Sequence, residues 1–206
     1  MQVNALNPDL ILITGDLIDG RVDKRTADVA PLAKLRARDG VYAILGNHEY
    51  YSNAEEWARA FGDLGLHLLI NQHAVISRDG AQLIIAGVSD PAAARFDAAM
   101  PNLTAALSGA DRKAFTVLMA HRPGDAAAHA AAGVDVQLSG HTHGGQIAGI
   151  HLLTQLANEG FVSGLYTVGS MQLYVSNGTG LWAGFPLRLG RPSEITEMTL
   201  RRAIQK

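Results

Sequence analysis

The chain has 206 residues, 19 acidic against 17 basic, a formal net charge of -2 and no cysteine. With 48% hydrophobic and 17% charged residues it has the balance of a globular protein able to bury a core, which excludes a disordered chain, disulfide staples, zinc ribbons and thiol catalysis. The charge gives no footprint for a nucleic-acid backbone, no apolar run approaches the ~18 residues of a membrane span, and MQVNALNP lacks the basic start and apolar centre of a signal peptide.

Apolar runs bounded by glycine and polar residues recur along the chain. Leu10–Thr14, Val41–Leu45, Leu83–Val88, Phe115–Ala120 and Val134–Leu138 read as buried strands. Helical patterns are expected between them, over Lys24–Arg36, Ala54–Phe61, Pro101–Leu107 and Gly124–Ala132. Alternation of this kind indicates an α/β layered fold. Towards the end, Gly164–Ser176 and Glu194–Leu200 alternate like strands without helices between them, so a second sheet packed on the first is expected there. With no linker, repeat or low-complexity tract, residues 1–206 are expected to form one domain.

The ends of the strands carry the chemistry. LILIT runs into Gly15-Asp16-Leu17-Ile18-Asp19, VYAIL into Gly46-Asn47-His48-Glu49, FTVLMA into His121-Arg122-Pro123, and VDVQLS into Gly140-His141-Thr142-His143. Open α/β sheets bind ligands outside the carboxyl ends of their strands, so these four ends should converge. The glycines permit a sharp turn and close backbone approach. Carboxylate, amide oxygen and imidazole together suit a divalent ion such as Mn, Fe or Zn.

GDLID, GNHE, His121 at a strand end and GHTH, in that order, resemble the blocks of the calcineurin-like metallophosphoesterase superfamily. The tail from Val162 to Leu200 resembles its bacterial phosphodiesterase branch, which includes UDP-diacylglucosamine hydrolase-like proteins. Metallo-β-lactamase-like hydrolases would continue His-x-His into x-Asp-His, where this chain has Gly144-Gly145. Amidohydrolases carry the pair on their first strand. The resemblance implies two sheets flanked by helices and a dinuclear centre in which a metal-bound hydroxide attacks a phosphodiester or pyrophosphate-type substrate. Asp16 would bridge two ions, Asn47, His121 and His141 would complete the second, and His143 would serve the first. His48 would be the acid that protonates the leaving group, paired with Asp19. The substrate would be a small or lipid-linked phosphoester.

One block of the family pattern is missing. The superfamily opens with Asp-x-His on the strand before GD, yet the first histidine here is His48. The first strand of the sheet is therefore expected to be absent and the domain N-terminally truncated. This chain would hold one ion where the complete protein holds two. A non-catalytic or weakly active single-metal or phosphate-binding remnant is the alternative. The complete protein could be membrane-associated, as relatives in the branch often carry an upstream membrane segment; the compartment stays open. Glu49, Arg21 and Arg122 read as solvated charges, and His67, His73, His129 and His151 as structural or surface residues. Tyr50-Tyr51 and Leu181-Trp182 fit a substrate groove and core packing equally well.

Overall fold

Residues 2–182, 184 and 186–201 are described by a computed structural model of the chain. Two sheets face each other. The first is parallel, with β1 (Ile11–Ile13), β2 (Val41–Ala43) and β3 (His67–Leu68) side by side in that order. The second runs β4-β5-β6-β7-β9-β8, from β4 (Gln72–Arg78), β5 (Ala81–Gly87), β6 (Phe115–Met119), β7 (Val136–Ser139), β8 (Gly164–Val168) and β9 (Met171–Val175). Its middle pairings are parallel, and each edge is an antiparallel hairpin. The helices are α1 (Gln2–Ala5), α2 (Val22–Val29), α3 (Asn47–Tyr51), α4 (Ala54–Asp63), α5 (Leu103–Ala106), α6 (Ala126–Ala131) and α7 (His151–Ala157). Among the described residues, no helix is long and apolar enough to cross a membrane.

Strand alternation builds the layers, because successive side chains point to opposite faces. From the second strand's run, Tyr42 and Ile44 meet Ile85, Val117 and Met119 of the other sheet, while Val41, Ala43 and Leu45 face α2 and α4. In the second sheet Ile84, Ala86, Leu118, Leu173 and Val175 turn outward onto Ala126 and Val134. The helix layer over the first sheet is anchored by Trp57 and Phe61 of α4, both fully buried and stacked at 5.1 Å. Truncating either to Ala should cost ~3–5 kcal/mol. The result is an α/β sandwich with helices on both outer faces.

Three expectations need correction. The region Gly164–Ser176 does not begin a new sheet: β9 pairs with β7, so the hairpin extends the sheet that holds β5 and β6. The boundary falls earlier, after β3, and β4 was not anticipated. Glu194–Leu200 has no strand structure. The Glu194 side chain accepts from the Tyr174 hydroxyl and from Asn177 N, and Glu194 N donates to the Gly178 carbonyl at 3.0 Å, so that segment is tied on at Glu194 and not by a ladder. The helix expected over Lys24–Arg36 is α2 followed by a 3-10 turn, Ala30–Lys34, where Pro31 has no N–H to continue the α-helix. Strand β1 lies at the edge of the first sheet, paired with β2 alone among the described strands.

Candidate metal centre

The carboxyl ends of β1, β2, β6 and β7 bring the motif residues to one place. Gly15 (φ 89°) and Gly46 lie back to back: a Cβ on Gly15 would fall 2.5 Å from Gly46 N, and one on Gly46 would fall 2.2 Å from Asp16 Oδ1. No other residue fits either position without moving a backbone. Asp16, His141 and His143 themselves sit at φ 53°, 66° and 50°. Such left-handed conformations are uncommon outside glycine and cluster at functional sites.

At the centre is the buried imidazole of His121. Its Nδ1 lies 2.7 Å from the Thr14 carbonyl; a carbonyl can only accept, so Nδ1 carries the proton. That leaves Nε2 facing Asp16 Oδ2 at 3.1 Å, Asn47 Oδ1 at 3.2 Å and His141 Nδ1 at 3.2 Å. Four atoms bearing lone pairs thus converge, and a proton or a cation must sit among them. The Asp16, His121 and His141 ligand atoms all lie within 4.8 Å of one another, a candidate metal site. A backbone carbonyl fixing the tautomer of a ligand histidine is the usual outer support of such sites. The donor set fits a divalent ion.

Without an ion, Asp16 and His121 stabilise each other's charged forms, while His141 stays neutral. Burial works against the Asp16 carboxylate, but the His121 imidazole beside it holds its pKa well below the usual carboxylate range. Burial likewise opposes the charged form of His121, and Asp16 overrides it, so that pKa is raised. His141 is pushed down to about 3, by burial first and then by His121. It is therefore neutral, as a ligand must be. His143 is lowered too, by burial and by Arg188. His143 lies outside the triple; its Nδ1 is buried near the Gly180 backbone without the alignment of a hydrogen bond. His48 Nδ1 lies 3.2 Å from Asp19 Oδ1, an ion-pair distance that also misses hydrogen-bond alignment. Asp19 is half exposed.

Two residues that hold these loops escaped the sequence reading. Glu49 is not a solvated charge but fully buried. Its carboxylate accepts from Gly46 N (2.7 Å), Asp16 N (3.0 Å), Leu17 N (2.6 Å) and Ile18 N (3.2 Å). Burial, with Asp16 nearby, pushes its pKa up to about 7 against the pull of those N–H groups. Arg188, far along the tail, donates to the carbonyls of His143 (2.9 Å), Asn177 (2.6 Å) and Gly180 (2.6 Å). Arg122 is corrected as well: it is bonded twice to the buried Asp90, at 2.9 and 3.1 Å. Arg21 is exposed, paired with Asp23. Of the remaining histidines, His73 meets the Ala106 carbonyl, His129 the Gln137 side chain, His151 the Gly149 N–H and His67 the ring of Tyr42, all away from the centre.

Comparison with known proteins decides the family. The family model for calcineurin-like phosphoesterases matches residues 2–145. This chain belongs to the calcineurin-like phosphoesterase family. The chain is 38% identical to the bovine (Bos taurus) transmembrane protein with metallophosphoesterase domain, over 98% of this chain and 48% of that protein. It is 36% identical to a metallophosphoesterase of Helicobacter pylori, over 97% of this chain and 53% of that one. The Bacillus subtilis metallophosphoesterase YkuE is 32% identical, over 98% and 71%. This chain thus spans about half the length of the first curated relatives it matches. Two solved structures share the fold. The phosphopantetheinyl hydrolase of Mycobacterium tuberculosis has a TM-score of 0.52 at 14% identity, covering 82% of this chain and 78% of that one. The Thermus thermophilus sulfate thiohydrolase SoxB has a TM-score of 0.57 at 17% identity, covering 84% and 35%. In the calcineurin-like domain the matched stretch contains the four strand ends that converge on His121.

Proposed function

We propose that residues 1–206 act as one domain that hydrolyses a phosphodiester or pyrophosphate-type bond with the help of divalent metal. The observation that carries this reading is the convergence of three lone-pair atoms, from Asp16, Asn47 and His141, on His121 Nε2 at 3.1–3.2 Å. Asp16, Asn47, His121 and His141 would hold one ion, of Mn, Fe or Zn type, while Asp16 and His143 would serve a second. A divalent ion bound there supplies positive charge for a phosphoryl oxygen and lowers the pKa of a water. Asp16 accepts from His48 N at 3.0 Å, so the loop that carries the proposed acid is registered to the proposed ligand. His48 would give its proton to the leaving-group oxygen, and the Asp19 carboxylate would orient the ring and favour its charged form.

The apolar rim supports a lipid-linked substrate. Just beyond the GHTHGGQ loop, Ile150, Leu152, Leu153 and Leu156 stand exposed, Leu156 at 80%. Trp182, also exposed, joins that loop through its N–H to Gln146 Oε1 at 2.9 Å. The bovine relative's name as a transmembrane protein supports a membrane-associated role for the longer proteins.

Calorimetric titration with Mn, followed by turnover of an aryl phosphodiester, tests the reading. Asp16→Asn removes the only charged ligand and is expected to weaken Mn binding more than ten-fold, about 1.4 kcal/mol or more, and to abolish turnover. Unchanged Mn affinity would remove Asp16 from the site. A single-metal, non-catalytic reading is favoured by one fact: Asp16, His121 and His141 form the one ligand triple among the described residues. One Mn per chain with no diester turnover would establish that reading instead.

A further inference from the structure

Beside His48 lies a pair of rings that the phosphoryl chemistry does not use. Tyr51 of α3 packs its ring 5.5 Å from that of His48, tilted by 59°, and Phe96 lies 6.2 Å from Tyr51, tilted by 51°. Both are about half exposed, Tyr51 at 49% and Phe96 at 46%. Their neighbours in sequence and space behave otherwise: Tyr50, Trp57 and Phe61 are all in the core. The position of Phe96 is built. It follows the 3-10 turn Pro91–Arg95, which is capped by Asp90 through Ala92 N at 2.7 Å. The same carboxylate holds the Arg122 guanidinium by two bonds. Asp90 is wholly buried. One fixed anion therefore ties the Phe96 turn to the residue that follows His121 in the metal centre. Arg122 directly follows His121 in the chain and is fixed by that carboxylate.

We infer that Tyr51 and Phe96 form a stacking shelf for a planar aromatic group, a nucleobase or an aryl ring, on the leaving-group side of the phosphoester. The inference rests on the phosphoesterase reading above, because His48 marks that side. Stacking on exposed aromatic side chains tolerates any flat π-system, which is why the shelf selects ring character and not one particular base. Arg122, the residue after His121, is a cation held in orientation by Asp90.

The test measures binding to the Mn-loaded full chain of four monophosphates: adenosine 5′-monophosphate, phenyl phosphate, ribose 5-phosphate and ethyl phosphate. The two that carry rings are expected to bind about ten-fold or more tightly than their ringless partners. Adenosine monophosphate against ribose phosphate reads the nucleobase; phenyl against ethyl phosphate reads the simple ring. In Phe96→Ala the ratio should fall towards one, and Tyr51→Leu, which keeps apolar bulk without a ring, should lower it partway. Bound Mn per chain reports whether each variant has kept its fold. Equal affinity for ring and ringless ligands in the unmodified chain, or a preference surviving both variants, overturns the shelf. No binding of any monophosphate overturns it as well. A ring preference without turnover of any phosphodiester keeps the shelf and sinks the phosphoesterase reading, so the two fail separately.

Discussion

The loops of the centre are held by two opposite charges. On the side of the first sheet, Glu49 gathers four backbone N–H groups from the loops after β1 and β2. On the side of the second sheet, Arg188 gathers backbone carbonyls from the loop after β7 and from the segment beyond β9. The anion is enclosed in the core, whereas the cation is half-buried near the surface. The difference teaches which of the proposed ligands would be fixed before any ion arrives. Asp16 and Asn47 stand on a framework no solvent can replace. His143 stands on one that water could partly replace.

Breaking the buried side should have the largest effect. Glu49→Ala would leave four N–H groups without an acceptor, and an unsatisfied buried donor costs about 1–3 kcal/mol. The variant is expected to lose at least about 4 kcal/mol in urea denaturation or to fail to fold, and Glu49→Gln to retain part of the loss. If Glu49→Ala melts like the unmodified chain, the buried carboxyl does not fix these loops. Next comes His48→Asn. If His48 is the proposed proton donor and not a ligand, the change should lower kcat by ~10²–10⁴-fold with metal content unchanged, and by less for substrates with good leaving groups. Equal loss with good and poor leaving groups would count against the acid role.

A smaller effect is expected from the exposed side. Arg188→Met should cost about 1–3 kcal/mol of stability. In Mn binding its effect should disappear in a His143→Ala background, because its action on the ion would run through His143. Additive losses in that double-mutant cycle would leave Arg188 a purely structural residue. The smallest concerns the apolar rim, where Leu156→Ser should change stability by no more than ~0.5 kcal/mol while weakening turnover of a diacyl-linked substrate relative to a short-chain one. Equal turnover of the two by the unmodified chain would remove the rim from substrate binding.

What could be read from the sequence follows the same division. Asp16, Asn47, His48, His121, His141 and His143 stand in short blocks at strand ends, and a strand end is a local feature. Glu49 lies inside such a block, but three of its four N–H partners, on Asp16, Leu17 and Ile18, are about 30 positions away, which no spacing displays. Arg188 lies in the tail, apart from any block, and its carbonyl partners carry no residue identity at all. In the fold, β4 and its hairpin had a visible signal, Asp79-Gly80 between two alternating runs. The Glu194–Leu200 alternation, by contrast, had the right period and no neighbouring strand to pair with.

The bond from His121 to the Thr14 carbonyl joins residues 107 positions apart. Contacts that close so long a stretch of chain pay their loop entropy before any reward arrives, and chains rich in them fold slowly. The proposed ligand cage would therefore come into being only once β1 and β6 have been brought into the same molecule-wide arrangement. An ion added to the unfolded chain has no nucleus to template, so Mn should slow unfolding far more than it hastens folding. An ion bound there would act as a latch on a finished structure, set at the last moment of its assembly.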